Sequence, residues 1–210
     1  SYAMQPWVSV SSATRLNSGM EQIDHIESVI LPGNRAPRGL SVIRAIAGQA
    51  GRPMRIWQAG QWKEVTGWGD ITTLTLSLPG APTLRRRWAS LIGAPDLQLF
   101  PAHFNARSVS FRAGLDLKLM HGGLSLLSQP VRWKWLPSLA PLARPLKWVA
   151  DRLEPFGSST GGMRVSVTGL NARREPIARD WTLIVEGGDG PAIPAIPAEI
   201  LCRKIASGEI

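Results

Sequence analysis

Three observations in this 210-residue sequence predict an α+β domain built around antiparallel strands. Residues 55–65 and 163–186 each alternate apolar and polar side chains on both sides of a turn, as a β-hairpin requires. Residues 71–78 and 107–112 alternate in the same way without an obvious partner. Residues 40–47 instead space their apolar side chains for a helix, and Gly48 supplies a stop.

In chain order, the first structured feature is the loop Pro32-Gly33-Asn34-Arg35-Ala36-Pro37-Arg38-Gly39. Proline presets φ and glycine reaches angles closed to other residues, so such a loop holds one shape and presents side chains from it. It leads into the 40–47 helix, where Leu40, Ile43 and Ala47 share a face. Free amides at that helix start favour an anion, and Arg35 and Arg38 add positive charge beside them. Arg55 to Gln58 and Gln61 to Val65 form the first hairpin, with Gly60 suited to the positive φ of a tight turn. The strand through Leu74, Leu76 and Leu78 alternates strictly with threonine and serine, and Pro79 to Pro82 ends it.

Trp88 to Ile92 read as a short strand, and Pro95 as the first turn of a helix. In Arg107 to Arg112, Val109 and Phe111 point one way and Ser110 and Arg112 the other, so Arg112 belongs to a polar sheet face. Over a cleft, such an arginine can clamp a carboxylate bidentately. Residues 115–150 are the most apolar region, cut by Pro130, Pro137, Pro141 and Pro145 into pieces too short to span a bilayer. Trp133, Trp135 and Trp148 stand there beside Arg132, Lys134 and Lys147, a mixture that suits core helices, a dimer contact or an interfacial helix. After a loop at Gly157 to Gly162 comes the second hairpin, closed by Gly187-Gly188-Asp189-Gly190-Pro191. A final helix follows Pro197, and its Leu201 and Ile205 spacing favours a buried or half-buried Cys202.

Composition narrows the function. Net charge is +9 and the isoelectric point about 11.0, which raises nucleic acid, anionic lipid and acidic metabolites as partners. The one tight basic run is Arg85-Arg86-Arg87 before Trp88, and basic and aromatic residues do not interleave along a strand. It reads as a solvated strand end or loop, and nucleic acid is not expected as a partner. Cys202 is the sole cysteine, which excludes an internal disulfide and fits a reducing, cytoplasmic compartment, with contact at a membrane surface as the variant. His25, His103 and His121 lack partners at ligand spacing, so no metal is expected. Ser158, Ser159 and Thr160 lack a nucleophile-elbow context and read as an ordered polar loop. No catalytic residue is assigned; Asp189 is the acid to consider, with a turn-capping role favoured over a general base.

The loops 32–39, 157–163 and 187–191, in that order, resemble the second, non-nucleotide domain of bacterial saccharopine dehydrogenase-like oxidoreductases. Gly48 to Pro53, Gly67-Trp68-Gly69-Asp70, Pro95 to Pro101 and Ser110 to Gly114 extend the resemblance over roughly residues 20 to 208. It implies an α+β fold with a mostly antiparallel or mixed sheet covered by helices on one face, as in the sheet domain of glyceraldehyde-phosphate-dehydrogenase-like enzymes. Those oxidoreductases open with a dinucleotide-binding βαβ unit carrying a glycine fingerprint, and residues 1–20 show none.

Residues 1–20 are therefore read as a tag remnant and leader, and 21–210 as a single substrate and dimerisation domain without its Rossmann partner. The resemblance implies no cofactor in this chain, NAD(P) in the parent protein, and inactivity of this part alone. Implied partners are the missing N-terminal nucleotide-binding domain, a second copy in a homodimer, and an anionic small-molecule substrate. Asn34, Arg35, Arg38 and Arg112 are the substrate-binding candidates, and Gly161, Gly162 and Gly188 the loop positions facing the cofactor. The competing reading is a peripheral membrane or lipid-binding module using residues 115–150.

Overall fold

The computed structural model describes residues 5–190, 193 and 202–207. In order the elements are α1 (Gln5–Leu16), β1 (Gln22–Leu31), α2 (Leu40–Gln49), β2 (Pro53–Gln58), β3 (Gln61–Thr66), β4 (Thr72–Leu76) and β5 (Leu84–Leu91). There follow α3 (Asp96–His103), β6 (Ser108–Gly114), α4 (Lys118–Leu127), α5 (Gln129–Arg132), α6 (Ala143–Arg152), β7 (Gly161–Leu170) and β8 (Pro176–Val185), with one-turn 3-10 helices at Ala140–Leu142 and Glu154–Phe156. The result is an α+β architecture on one eight-stranded sheet with path β3-β2-β6-β1-β7-β8, and β5 also pairs with β6 and β4 with β5. The sheet is mixed: β1 and β6 run parallel, and the other pairs are antiparallel.

Alternation along the central strands makes two unlike faces. Ile26 and Ile30 on β1, Val109 and Phe111 on β6, and Met163, Val165 and Val167 on β7 lie on one side by register, and α1, α2 and α3 bring Ala13, Ala47 and Phe100 to the same core cluster. Burying a side chain such as Phe100, Phe111 or Ile26, each at most 1% exposed, contributes about 1.5–3 kcal/mol. The opposite face carries His25, Glu27, Ser110, Arg112 and Arg164, and only at the C-terminal end of β1 do Val29 and Leu31 meet a small second cluster with Leu76, Leu84 and Ala89.

Both hairpins form. Gly60 has φ +77 and Ala59 φ 51, so the first turn needs the left-handed region twice, as a two-residue hairpin turn does. The second hairpin is longer than the alternation suggests, because β7 and β8 pair from Gly161–Val185 to Leu170–Pro176. Gly161 and Gly162 are therefore the opening residues of β7 and not part of a loop, a correction that follows from their backbone pairing to β8 and β1.

Three further features depart from the sequence patterns. Residues 5–16, within the segment read as leader, form α1, whose Ser9 and Ala13 are fully buried. Arg85–Arg87 lie inside β5; Arg86 has φ 49, and the β4–β5 register slips between Leu74 and Leu76, so the basic run sits at a bulge. Cys202 is exposed rather than buried; residues 202–206 are helical, and 194–201, which hold the expected start of that helix, fall outside the described residues. Between β6 and β7, prolines occupy early turns of α5, α6 and both 3-10 helices. Trp133, Trp135 and Trp148 there are 57%, 74% and 59% exposed, so they are not core residues of this chain.

Candidate functional site

Three loops meet at one end of the helix-covered face. Loop 32–39 leaves β1, loop 157–160 enters β7, and turn 187–190 leaves β8; because these strands are neighbours, their ends converge. Arg35 N–H donates to Ser158 O at 3.0 Å, and Gly188 N–H donates to Ser159 O at 3.1 Å. A Cβ on Gly33 would lie 2.7 Å from Ser158 O and 2.9 Å from Thr160 O, so only glycine permits this approach.

Asp116 locks the cluster. One carboxylate oxygen accepts the backbone N–H of Asn34 at 2.9 Å and of Ser158 at 2.5 Å, and the other pairs with Arg87. Arg87 also donates to Ser158 Oγ at 3.1 Å, so the inner residue of the basic run is a structural partner and not a solvated charge. Burial pushes the Arg87 pKa down. Asn34 is 1% exposed and donates its side-chain amide to Leu153 O at 2.8 Å; Arg38 Nη2 reaches back to the Asn34 carbonyl and side-chain oxygens. Arg38 is also lowered, by burial first, with Asp151 and Glu154 acting in the opposite sense. Arg35 is exposed and donates to Pro155 O at 3.0 Å.

The loops frame a cavity of about 400 Å³. Its floor is one lateral row of the sheet, Ala113–Ile30–Met163–Leu183 across β6, β1, β7 and β8. Its walls include Ala36, Pro37, Arg38, Val42 and Ile46 of the first loop and α2, with Trp68 and Ile92 at the far end. Trp68 is 3% exposed, has φ 60, and packs edge-on to His121 at 5.6 Å, while its indole N–H has no hydrogen-bond acceptor among the described residues. Arg38, Gly161, Gly162 and Gly188 of the sequence candidates line this cavity. Asn34 and Arg35 are on the same loop, and Asp189 is an exposed residue of the 187–190 turn beside it.

Arg112 is elsewhere. It sits on the opposite sheet face, where its Nε pairs with Glu27 at 3.1 Å and its Nη1 and Nη2 reach Asp70 O and Oδ2 at 2.6 Å each. Glu27 also pairs with Arg164 at 3.2 Å, and His25 Nε2 lies 2.8 Å from Ser110 Oγ. His25, Asp70, Ser110 and Arg112 line a groove of about 770 Å³ together with Lys63 and Trp57. Burial lowers the His25 pKa, partly offset by Glu27. The structure thus gathers Asn34, Arg35, Arg38, Gly161, Gly162 and Gly188, and separates Arg112 from them.

Other polar groups are enclosed in the core. His121 is 1% exposed, lies 2.8 Å from Ser90 Oγ, and is pushed down to about 4 by burial. Asp96, 1% exposed, is raised by burial against hydrogen bonds from Ser9 and Ser28. Among the described residues, no three His, Cys, Asp or Glu side chains gather as a metal site. Sequence patterns did not single out Asp116, because a lone acid inside an apolar stretch carries no periodic signal, nor the Ala113–Leu183 row, which exists only once strand order is known.

No protein-family model matches the chain, and no curated protein matches it either. Among solved structures it is similar to apo histidine-tagged saccharopine dehydrogenase (L-Glu forming) from Saccharomyces cerevisiae, with a TM-score of 0.58 and 12% identity. The match covers 97% of this chain but 63% of that one, so the chain spans under two thirds of the length of that enzyme. At this identity the likeness is one of fold: the chain has a saccharopine dehydrogenase-like α+β fold with a mixed, mostly antiparallel sheet.

Proposed function

We propose that this chain is the substrate-side and self-association part of a saccharopine dehydrogenase-like NAD(P)-dependent oxidoreductase, inactive without a nucleotide-binding partner domain. The observation that carries this reading is the convergence of loops 32–39, 157–160 and 187–190 on one cavity, within a fold similar to a dehydrogenase. In this reading Arg38, with Asn34 and Arg35 on its loop, receives an acidic group of the substrate. Gly161, Gly162 and Gly188 let backbone come close to the cofactor domain. The dinucleotide supplies hydride chemistry when bound, and this chain binds and orients the substrate against it. Asp189 is assigned no step, and Arg112, with its donors engaged on the other face, is assigned no ligand.

Titration of NADH and NADPH into this chain and into the product of the complete reading frame tests the reading. Binding to the complete product and none to residues 1–210 is expected; binding to this chain alone, or to neither, contradicts it. An in-frame βαβ segment with a glycine fingerprint upstream of the Met4 codon is the corresponding sequence result. Light scattering of this chain is expected to give about twice its 22.8 kDa mass, and a monomer contradicts self-association.

A second reading is contact with an anionic lipid surface through residues 115–150. Its support is the exposure of Trp133, Trp135 and Trp148 beside Arg132, Lys134 and Lys147, which presents interfacial aromatics with positive charge. Among the described residues no helix is long and apolar enough to cross a membrane, so the contact proposed is peripheral. Co-sedimentation with phosphatidylserine vesicles that falls as salt rises supports this reading, and absence of binding at low salt removes it.

A further inference from the structure

The cavity under the three loops differs in character from what a polyanionic amino acid would need. Among the described residues lining it, Arg38 is the one that carries a charge, and its Nη2 is already given to Asn34. The floor row Ala113, Ile30, Met163 and Leu183 is wholly apolar, and Val42, Ile46 and Ile92 continue it up the walls. Among the described residues, Ser41 and Ser159 supply the side-chain hydroxyls in the lining. At about 400 Å³ the space falls within the ~300–1,000 Å³ of small-molecule sites, which are mostly apolar with a few orienting polar groups. Burying a carboxylate there without a cation is costly, because desolvation of an unpaired charge exceeds any gain from packing. A ligand with several carboxylates would leave all but one of them unmatched.

We propose that this cavity takes the apolar chain of a monoanionic amphiphile, of the fatty-carboxylate class, with its single carboxylate at Arg38 and its chain along the Ala113–Ile30–Met163–Leu183 row. The proposal deepens the substrate-side reading above and rests on it for the meaning of the site, though not for the binding itself. The carboxylate meets Arg38 Nε and Nη1, which make no hydrogen bond to other described residues. Asp151 and Glu154, the acids that influence Arg38, are where the incoming charge competes. The alcohol of equal length keeps the apolar contacts and loses this pairing.

The experiment is calorimetric titration of this chain with butanoate, hexanoate, octanoate and decanoate, with octanol and saccharopine as comparators. Affinity is expected to rise about fourfold per added methylene until the cavity is full. Octanol is expected to bind about tenfold more weakly than octanoate, as loss of a charge-assisted contact implies. Val42→Trp, which places an indole into the space from the first turn of α2, is expected to abolish octanoate binding while unfolding of the variant remains cooperative. An affinity independent of chain length in the unaltered protein overturns the proposal, whatever the fate of the variant. Saccharopine binding more tightly than decanoate overturns it too. A complete reading frame that binds no NAD(P) removes the oxidoreductase reading while leaving the chain-length result standing, so the two failures are distinguishable.

Discussion

The two faces of the sheet place their arginines in opposite situations. On the helix-covered side, Arg38 is the charged residue among the described residues lining an apolar cavity, tied by one nitrogen to its own loop. On the other side, Arg112 has every nitrogen committed to Glu27 or Asp70, and Arg164 shares Glu27 with it. The same residue type is thus spare capacity in one place and framework in the other. A strand's alternation tells which face an arginine is on, and the neighbours from distant strands decide whether it is available.

The largest effect is expected at Asp116, which ties together the loops around the cavity. Asp116→Ala leaves Arg87 without its buried partner and two loop amides without an acceptor, and should cost about 3–5 kcal/mol in denaturant unfolding. A loss below 1 kcal/mol would mean that loops 32–39 and 157–160 hold their shape without it. Next, Phe111→Ala and Ser110→Ala compare adjacent residues of β6 pointing to opposite sides. The first opens a cavity in the helix-covered core at about 3–5 kcal/mol, and the second removes one hydrogen bond to His25 at about 1 kcal/mol. Equal losses would erase the contrast between the faces.

A pH effect of middle size comes from the core side. His121 is held near 4 by burial, so the unfolded chain takes up its proton first as pH falls below about 6.5, and stability declines towards pH 4. Between pH 7 and pH 5 this amounts to about 2 kcal/mol. His25, lowered in the same way, adds in the same sense, whereas Asp96, raised by burial, gains stability on acidification and opposes the decline at lower pH. His121→Gln should flatten the profile, and an unchanged slope in that variant would relocate its source. On the other face, Arg112→Met should lower stability by about 1–2 kcal/mol and leave octanoate affinity unchanged. A tenfold loss of affinity would return Arg112 to the site.

Much of the frame is readable from the chain. Alternation marks β6 and the β7–β8 hairpin, glycine and helical spacing mark α2, and the Gly-Pro loops at 32–39 and 187–190 mark the ends that meet; β1, the strand between β6 and β7, carries no such signal and is legible only from the structure. What periodicity cannot carry is pairing across long separations. It assigned Arg112 to a polar face correctly, yet could not reveal that Glu27 and Asp70 come from 85 and 42 residues away to occupy it. α1 is hard to read because Ser9, Ser11 and Ser12 dilute the apolar stripe, although Ser9 is buried and bonds to Asp96. Gly161 and Gly162 read as loop in the sequence because glycine is locally a poor strand former. The backbone pairing to β1 and β8 decides otherwise.

The most direct test of the contrast between the two faces is backbone amide chemical-shift mapping of this chain during titration with octanoate. Concentration-dependent shifts are expected at Ile30, Ala113, Met163 and Leu183 and through residues 33–42, with His25, Ser110, Arg112 and Arg164 unmoved. Shifts confined to His25, Ser110 and Arg112, or none at the floor row at saturating octanoate, would contradict it.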